Sequence, residues 1–104
     1  MAELKRGDVI FADLGHKMRP WLIVQNDVGN NYSRRTIVVP LTSKIKKKLP
    51  THCVICWGKI KTSAVQCEEI QVVDIDTRWE PVEHLPPEIM QHIDRALKIA
   101  LGLE

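Results

Sequence analysis

The chain has 104 residues, of which 44% are apolar and 27% are charged, which suits one folded domain over residues 1–104 and excludes intrinsic disorder. Its net charge of +2 divides into +8 over residues 1–62, with 12 basic and 4 acidic side chains, and −6 over residues 63–104, with 3 and 9. The basic half indicates an anionic ligand, nucleic acid above all, although solvated surface charges that merely segregate give the same pattern.

Six short strands are predicted in the first 75 residues, where β-branched runs alternate with breaks of Gly, Asn, Pro or Lys. They span residues 8–14, 21–25, 36–41, 52–57, 63–67 and 70–74. The break at 26–31 has the residues of a polar turn, and Gly58 suits a tight reversal. Parallel pairs would need crossover helices for which the chain has no room, so we expect a small antiparallel barrel or sandwich.

The last segment predicts an amphipathic helix that starts at Pro86. Pro86, Pro87 and Glu88 suit its first turn, and Gly102 is a candidate C-cap. We expect its apolar stripe to pack on the barrel and complete the core. The stripe consists of Ile89, Ile93, Leu97 and Leu101, widened by Met90, Ala96 and Ala100.

Three cysteines and an N-terminus without an apolar segment argue against secretion and a disulfide framework, and we expect a cytoplasmic protein. No apolar run approaches the roughly 18 to 20 residues that span a bilayer, so no membrane is expected as a partner. Cys53 and Cys56 form a C-x-x-C, but residues three apart on a strand point to opposite faces. We therefore expect buried thiols rather than a metal site.

Two side chains are predicted to meet across a hairpin formed by the second and third strands. If Gln25 opposes Thr36, paired residue numbers sum to 61 and Arg19 lies opposite Thr42. Opposed β-carbons lie about 4.5 to 5.5 Å apart, so both side chains can address one phosphate. A loop of this length also permits registers shifted by a residue or two.

The short link before Arg19 adds two further donors, His16 and Lys17. Three cationic or titratable side chains in one connection make a phosphate cradle, or else an exposed cationic turn. The basic stretch that follows Thr42 can hold flanking phosphates, or form a solvated loop. It comprises Ser43, Lys44, Lys46, Lys47 and Lys48.

Several ordered segments resemble the MazF/PemK family of toxin endoribonucleases, and the resemblance spans nearly the whole chain. They read Lys-Arg-Gly-Asp-Val-Ile-Phe-Ala-Asp-Leu at 5–14, Arg-Pro-Trp-Leu-Ile-Val-Gln-Asn-Asp at 19–27, Val-Pro-Leu-Thr-Ser at 39–43, and Leu-Pro-Thr-His at 49–52. This resemblance implies a mainly β fold with a C-terminal helix, a small SH3-like antiparallel barrel of the CcdB/MazF type. It also implies a homodimer, a cognate antitoxin, and cleavage of single-stranded RNA, often mRNA, without metal or cofactor.

The resemblance also assigns roles to residues. Arg19 and Thr42 match the arginine and threonine that serve the scissile phosphate, while His16 and Glu68 match candidates for proton transfer. Three departures from the family pattern bear on activity and sequence choice. The first loop is shorter than is common, Gln66 replaces an arginine of some PemK relatives, and Gln-Val-Val-Asp at 71–74 replaces the common Arg-Thr-Ile/Val-Asp. We count Gln66 among the candidate RNA-binding residues. The alternative is a non-catalytic relative that binds RNA or a protein target, as the CcdB gyrase poisons do.

Overall fold

The computed structural model describes residues 4–15, 18–76 and 78–104. Within those ranges it contains seven strands and two helices. The strands are β1 Asp8–Asp13, β2 Met18–Ile23, β3 Arg35–Thr42, β4 His52–Trp57, β5 Ile60–Gln66, β6 Gln71–Asp74 and β7 Trp79–His84; the helices are α1 Asp27–Tyr32 and α2 Pro87–Ala100. No helix in the described ranges is long and apolar enough to cross a membrane.

The strands form one curled antiparallel sheet, in the order β4-β5-β3-β2-β1-β7. Strand β3 connects the two ends of the sheet because it has three partners. Its first half pairs with β6, its residues 38–40 pair with β2, and its last residues pair with β5. The sheet curls around the core and leaves the end of β3 between β2 and β5. The expected small antiparallel barrel with a C-terminal helix is confirmed.

Strand boundaries follow pairing partners more closely than β-branched runs. Strand β4 has its predicted bounds, whereas β2 begins at Met18 because its first residues pair with β1. Strand β5 begins at Ile60, which faces Trp57 across the predicted reversal at Gly58, where φ is +54°. This conformation favours glycine.

The sequence prediction missed two elements. Helix α1 replaces the predicted turn, despite Gly29 and two asparagines, because the Asn26 side chain accepts from Gly29 N at 2.8 Å and caps it. The buried Asn30 then accepts from Thr36 Oγ1 at 2.7 Å. Strand β7 was missed because it contains Pro81 and two glutamates, which are uncommon in strands. It is an edge strand that pairs with β1, and proline is tolerated in edge strands.

The core has two clusters of buried side chains. The larger lies between the sheet and α2, and α2 contributes Met90, Ile93, Ala96 and Leu97 to it. The expected packing of α2 is therefore confirmed, except that Leu101 is 57% exposed because the helix ends before it. At that end Gly102 has φ +72° and Leu103 N donates to Lys98 O at 2.8 Å, so the predicted glycine does terminate the helix.

Candidate nucleic-acid interface

The predicted register of the β2–β3 hairpin is correct. Trp21 faces Pro40 and Ile23 faces Val38, so paired numbers sum to 61. The ladder ends there: Thr36 pairs with Val73 of β6 rather than with Gln25. At the other end Arg19 pairs with β1 and Thr42 pairs with Ala64 of β5. The chain nevertheless brings Arg19 to the end of β3.

Arg19 is held there by uncharged groups. Its Nη2 donates to Leu41 O at 3.3 Å and to Gln66 Oε1 at 3.5 Å, and its guanidinium lies 5.3 Å from the centre of the Trp21 ring. No carboxylate among the described residues pairs with it. The positive charge of Arg19 is thus available to an anion.

Thr42 ends β3 and is partly buried. Its Oγ1 accepts from Lys44 N at 3.1 Å, so the hydroxyl hydrogen is directed elsewhere and can be donated to a ligand. Thr42 also lines an open groove of about 230 Å³. The other lining residues are Lys44, Ile45, Lys46, Lys47, Leu49, His52, Ala64 and Gln66.

A histidine–glutamate pair lies beside this groove. His52 Nε2 is 2.8 Å from Glu68 Oε2, and Thr51 Oγ1 donates to Glu68 Oε1 at 2.9 Å. His52 opens β4 directly opposite Gln66 of β5, so the pair and Arg19 lie on either side of Gln66. The imidazole is largely buried, with 11% of its side chain exposed.

The carboxyl of Glu68 is kept ionised by these contacts. Burial acts to raise the pKa of Glu68, but hydrogen bonds from His52, from its own backbone N–H and from Thr51 outweigh burial and lower it. A carboxyl with a lowered pKa is a weak proton acceptor. Glu68 is therefore better suited to orienting His52 than to taking a proton itself.

The Glu68 contacts predict a pH-dependent contribution to stability. A carboxyl with a depressed folded-state pKa stabilises above its unfolded value, about 4.3, and that stability is lost as pH falls through the folded pKa. Glu68→Gln should therefore lower the free energy of unfolding at pH 7 by at most about 1 kcal/mol, because the pair is partly screened by solvent. Urea unfolding at pH 7 and pH 3 should show the difference disappearing in acid.

Glu69→Gln is the matched control, since the Glu69 side chain makes no hydrogen bond within the described part of the chain. An equal effect of both substitutions, or a Glu68→Gln effect that persists at pH 3, would show that the contacts to His52 and Thr51 do not stabilise the fold.

Of the predicted site residues, the structure brings together Arg19, Thr42, Gln66, Lys44, Lys46 and Lys47, with Glu68 adjoining through His52. Ser43 and Lys48 are exposed on the same loop but do not line the groove. His16 and Lys17 lie outside the described residues. The sequence interpretation assigned no role to His52, although the Leu-Pro-Thr-His segment contains it.

The cysteines do not all match the expectation of buried thiols. Cys67 is buried, which raises the pKa of its thiol to about 12, whereas Cys56 is exposed and Cys53 is half-buried. In the described ranges, no group of three His, Cys, Asp or Glu side chains is arranged to hold a metal ion.

The tryptophans also differ from one another. Trp21 is buried and its indole N–H donates to Ala12 O at 3.2 Å, while Trp79 packs on the smaller core cluster. Trp57 is 42% exposed, so packing within one chain does not account for it.

The groove is open and lined by three lysines, and its lining residue Gln66 contacts an arginine that has no carboxylate partner in the described ranges. These features define a small barrel protein built to bind a polyanion.

A family model of PemK-like, MazF-like toxins of type II toxin-antitoxin systems matches residues 5–101, and the chain belongs to this family. The protein named Endoribonuclease EndoA from Bacillus subtilis (strain 168) is 40% identical over an alignment of 111 positions that covers 96% of each chain. A solved mycobacterial endoribonuclease in complex with its cognate antitoxin is 31% identical, with a TM-score of 0.89 and 97% of each chain covered. A MazE–MazF structure from Deinococcus radiodurans is 17% identical, covers 100% of each chain and shares the fold, with a TM-score of 0.84.

Proposed function

We propose that this family member is a toxin endoribonuclease that cleaves single-stranded RNA, including mRNA, in the cytoplasm. The observation that carries the proposal is the Arg19 guanidinium, which meets only neutral groups among the described residues and contacts Gln66, a residue that lines the groove with the lysines. A single strand suits an open groove, since its phosphates can follow the lysines while its bases remain unpaired. The relative from Bacillus subtilis is named an endoribonuclease.

RNA supplies the nucleophile for this reaction. The 2′-oxygen attacks the adjacent phosphorus and loses its proton to a base, the bond to the 5′-oxygen breaks, and that oxygen receives a proton. The products are a 2′,3′-cyclic phosphate and a 5′-hydroxyl. The protein must provide charge stabilisation and proton transfer, and neither task requires a metal or cofactor.

Arg19 and Thr42 suit the first task. The guanidinium stays protonated at neutral pH, so it stabilises the negative oxygens of the crowded phosphorane and is a poor base. The Thr42 hydroxyl, whose oxygen already accepts from Lys44 N, donates to a non-bridging oxygen.

Proton transfer falls to histidine in this proposal. The ionised Glu68 contacts His52, an arrangement that fixes the orientation of the ring. His16 is the second candidate, on the grounds of the family resemblance alone.

Protein partners follow from the family. A mycobacterial relative has been solved with its cognate antitoxin, and we extend such a partner to this chain. We also propose a homodimer, since Val54 and Trp57 leave apolar surface exposed on edge strand β4. Light scattering on the purified chain tests the dimer by its mass.

The proposed activity is tested by incubating the purified chain with a long single-stranded RNA in EDTA and mapping the new ends. New 5′-hydroxyl and cyclic phosphate ends at a recurrent short sequence are the expected result. Cleavage that stops with EDTA would contradict the metal-independent mechanism. RNA binding without new ends would instead support a non-catalytic binding module.

The groove lysines predict a salt dependence. Lys46 and Lys47 line the groove, so replacing both with methionine should raise KM several-fold. Affinity falls with salt, and the steepness of log affinity against log salt should decrease by about 1.4, or roughly 0.7 for each phosphate that is no longer neutralised. Binding of an uncleavable 2′-deoxy analogue, titrated at several salt concentrations, provides the measurement.

The matched control replaces Lys59 and Lys61, which are exposed around the β4–β5 turn, and so makes the same change in net charge. Equal slopes for the two double variants would mean that the lysines act through net charge alone and that Lys46 and Lys47 do not contact phosphates.

A further inference from the structure

Gln66, at the end of β5, is a polar side chain that touches Arg19. Its Oε1 accepts from Arg19 Nη2 at 3.5 Å, and its side chain also lines the groove beside Thr42. We propose that Gln66 is a positioning residue, which sets the orientation in which the Arg19 guanidinium meets the scissile phosphate. This inference rests on the proposed function and assigns Gln66 a role that acts through Arg19 rather than on RNA.

Groups on three strands restrain the guanidinium. The Trp21 ring on β2 lies against it, Leu41 O on β3 accepts from Nη2, and Gln66 on β5 accepts from the same nitrogen. A guanidinium has five N–H donors, so with Nη2 engaged those on Nε and Nη1 remain for an anion. The three remaining N–H groups, one on Nε and two on Nη1, can each donate to a phosphate oxygen.

The chemistry of glutamine suits this position. The carboxamide offers oxygen to Arg19, since its NH₂ group would set donor against donor, and it adds no charge. A glutamate here would form an ion pair and neutralise Arg19, while an arginine would repel it. A neutral acceptor therefore fixes the guanidinium and leaves its full charge for the phosphate.

Gln66 also lies close to the histidine–glutamate pair. His52 lies directly opposite on β4, and Glu68, which binds His52, is two residues further along the chain. One residue thus stands between the group that stabilises charge and the pair proposed for proton transfer. Fixing Arg19 from this side also fixes its position relative to His52.

The first test measures Arg19 directly and needs no cleavage. In ¹⁵N spectra of the arginine side chains, Gln66→Met should speed rotation of the Arg19 guanidinium several-fold, because one of its two Nη2 acceptors is removed. Gln71→Met is the matched control, the same substitution at an exposed site on β6, and should leave Arg19 unchanged.

The second test separates positioning from RNA contact. Gln66→Met should lower kcat about tenfold while KM stays within about twofold, because RNA still meets the lysines but the guanidinium is misplaced. Gln66→Glu should keep Arg19 restrained in the spectra yet lower kcat and raise KM, because its carboxylate neutralises the guanidinium.

The outcomes distinguish this inference from the proposed function. If the wild-type protein restrains Arg19 but leaves RNA intact, the proposed nuclease activity is refuted, while the Arg19–Gln66 hydrogen bond is supported. Active wild-type protein would refute the positioning role if Arg19 signals were the same with Gln66→Met. A rise in KM without a fall in kcat would refute it too, in favour of direct RNA binding by Gln66.

Discussion

Replacing Arg19 with methionine should lower kcat for RNA cleavage by about 10² to 10³-fold, the loss expected when one donor that stabilises a developing oxyanion is removed. The effect should fall on kcat more than on KM, because the guanidinium meets more negative charge in the phosphorane than in the bound substrate. Single-turnover cleavage of a short RNA at saturating enzyme measures the chemical step directly.

Two further variants sharpen that result. Arg19→Lys keeps the charge but loses the planar fork, so it should recover only part of the rate. Arg34→Met removes an arginine that is 87% exposed in its side chain and pairs with Asp76, and it should leave the rate unchanged. Cleavage by Arg19→Met within about fivefold of the wild-type rate would exclude Arg19 from stabilising the transition state.

Arg19→Met also removes the guanidinium from the face of Trp21, an interaction of about 0.5 to 1 kcal/mol at a partly exposed site. The variant should therefore unfold at a slightly lower temperature, and rates are to be compared well below that transition. Thermal unfolding followed by circular dichroism verifies that the assayed variant is folded.

Truncating Ile93 should destabilise the fold far more than Glu68→Gln or Arg19→Met. Ile93 is fully buried in the larger cluster between the sheet and α2, and Ile93→Ala should cost about 2 to 5 kcal/mol through reduced burial and the cavity left behind. For a domain of this size the Tm should fall by roughly 10 °C or more. Urea unfolding with a common slope gives the free-energy difference.

Leu101→Ala is the control for Ile93→Ala. It removes a similar aliphatic group just beyond α2 at a side chain that is 57% exposed, so the free energy of unfolding should change by less than about 0.5 kcal/mol. Equal losses for the two variants would mean that the α2 stripe is not packed on the sheet.

Much of the fold could be predicted because its signals are local. Alternating β-branched runs predict strands, and four-residue spacing from Ile89 to Leu97 predicts the face of α2 that is buried. The elements that escaped prediction lack such signals. Asn30 holds α1 through Thr36, and Pro81 is admitted to β7 because only β1 pairs with that strand.

The site was partly predictable for a similar reason. The β2–β3 register brought Arg19 to the end of β3, because a shift of one residue would exchange Leu22 and Ile23 between the two buried clusters. The contact between Glu68 and His52 could not be predicted, since the pairing of β4 with β5 is irregular.

That irregularity is a bulge. Trp57 faces Ile60 beside the turn, but Ile55 faces Ser63, so β5 contains one extra residue and the register shifts. A regular hairpin continued from Trp57 and Ile60 would set His52 against the buried Val65. The bulge sets it against Gln66 instead, beside Arg19 and within reach of Glu68.

The sequence by itself thus determined the faces of the predicted strands and of α2, the β2–β3 register, and the approach of an arginine to the threonine that ends β3. It could do so because periodicity and burial are carried by near neighbours in the chain. Only the tertiary structure decided that His52 and Gln66 lie beside Arg19 and Thr42. The pairing of His52 with Gln66 depends on one extra residue in β5, because inserting one residue into a strand exchanges its buried and exposed faces.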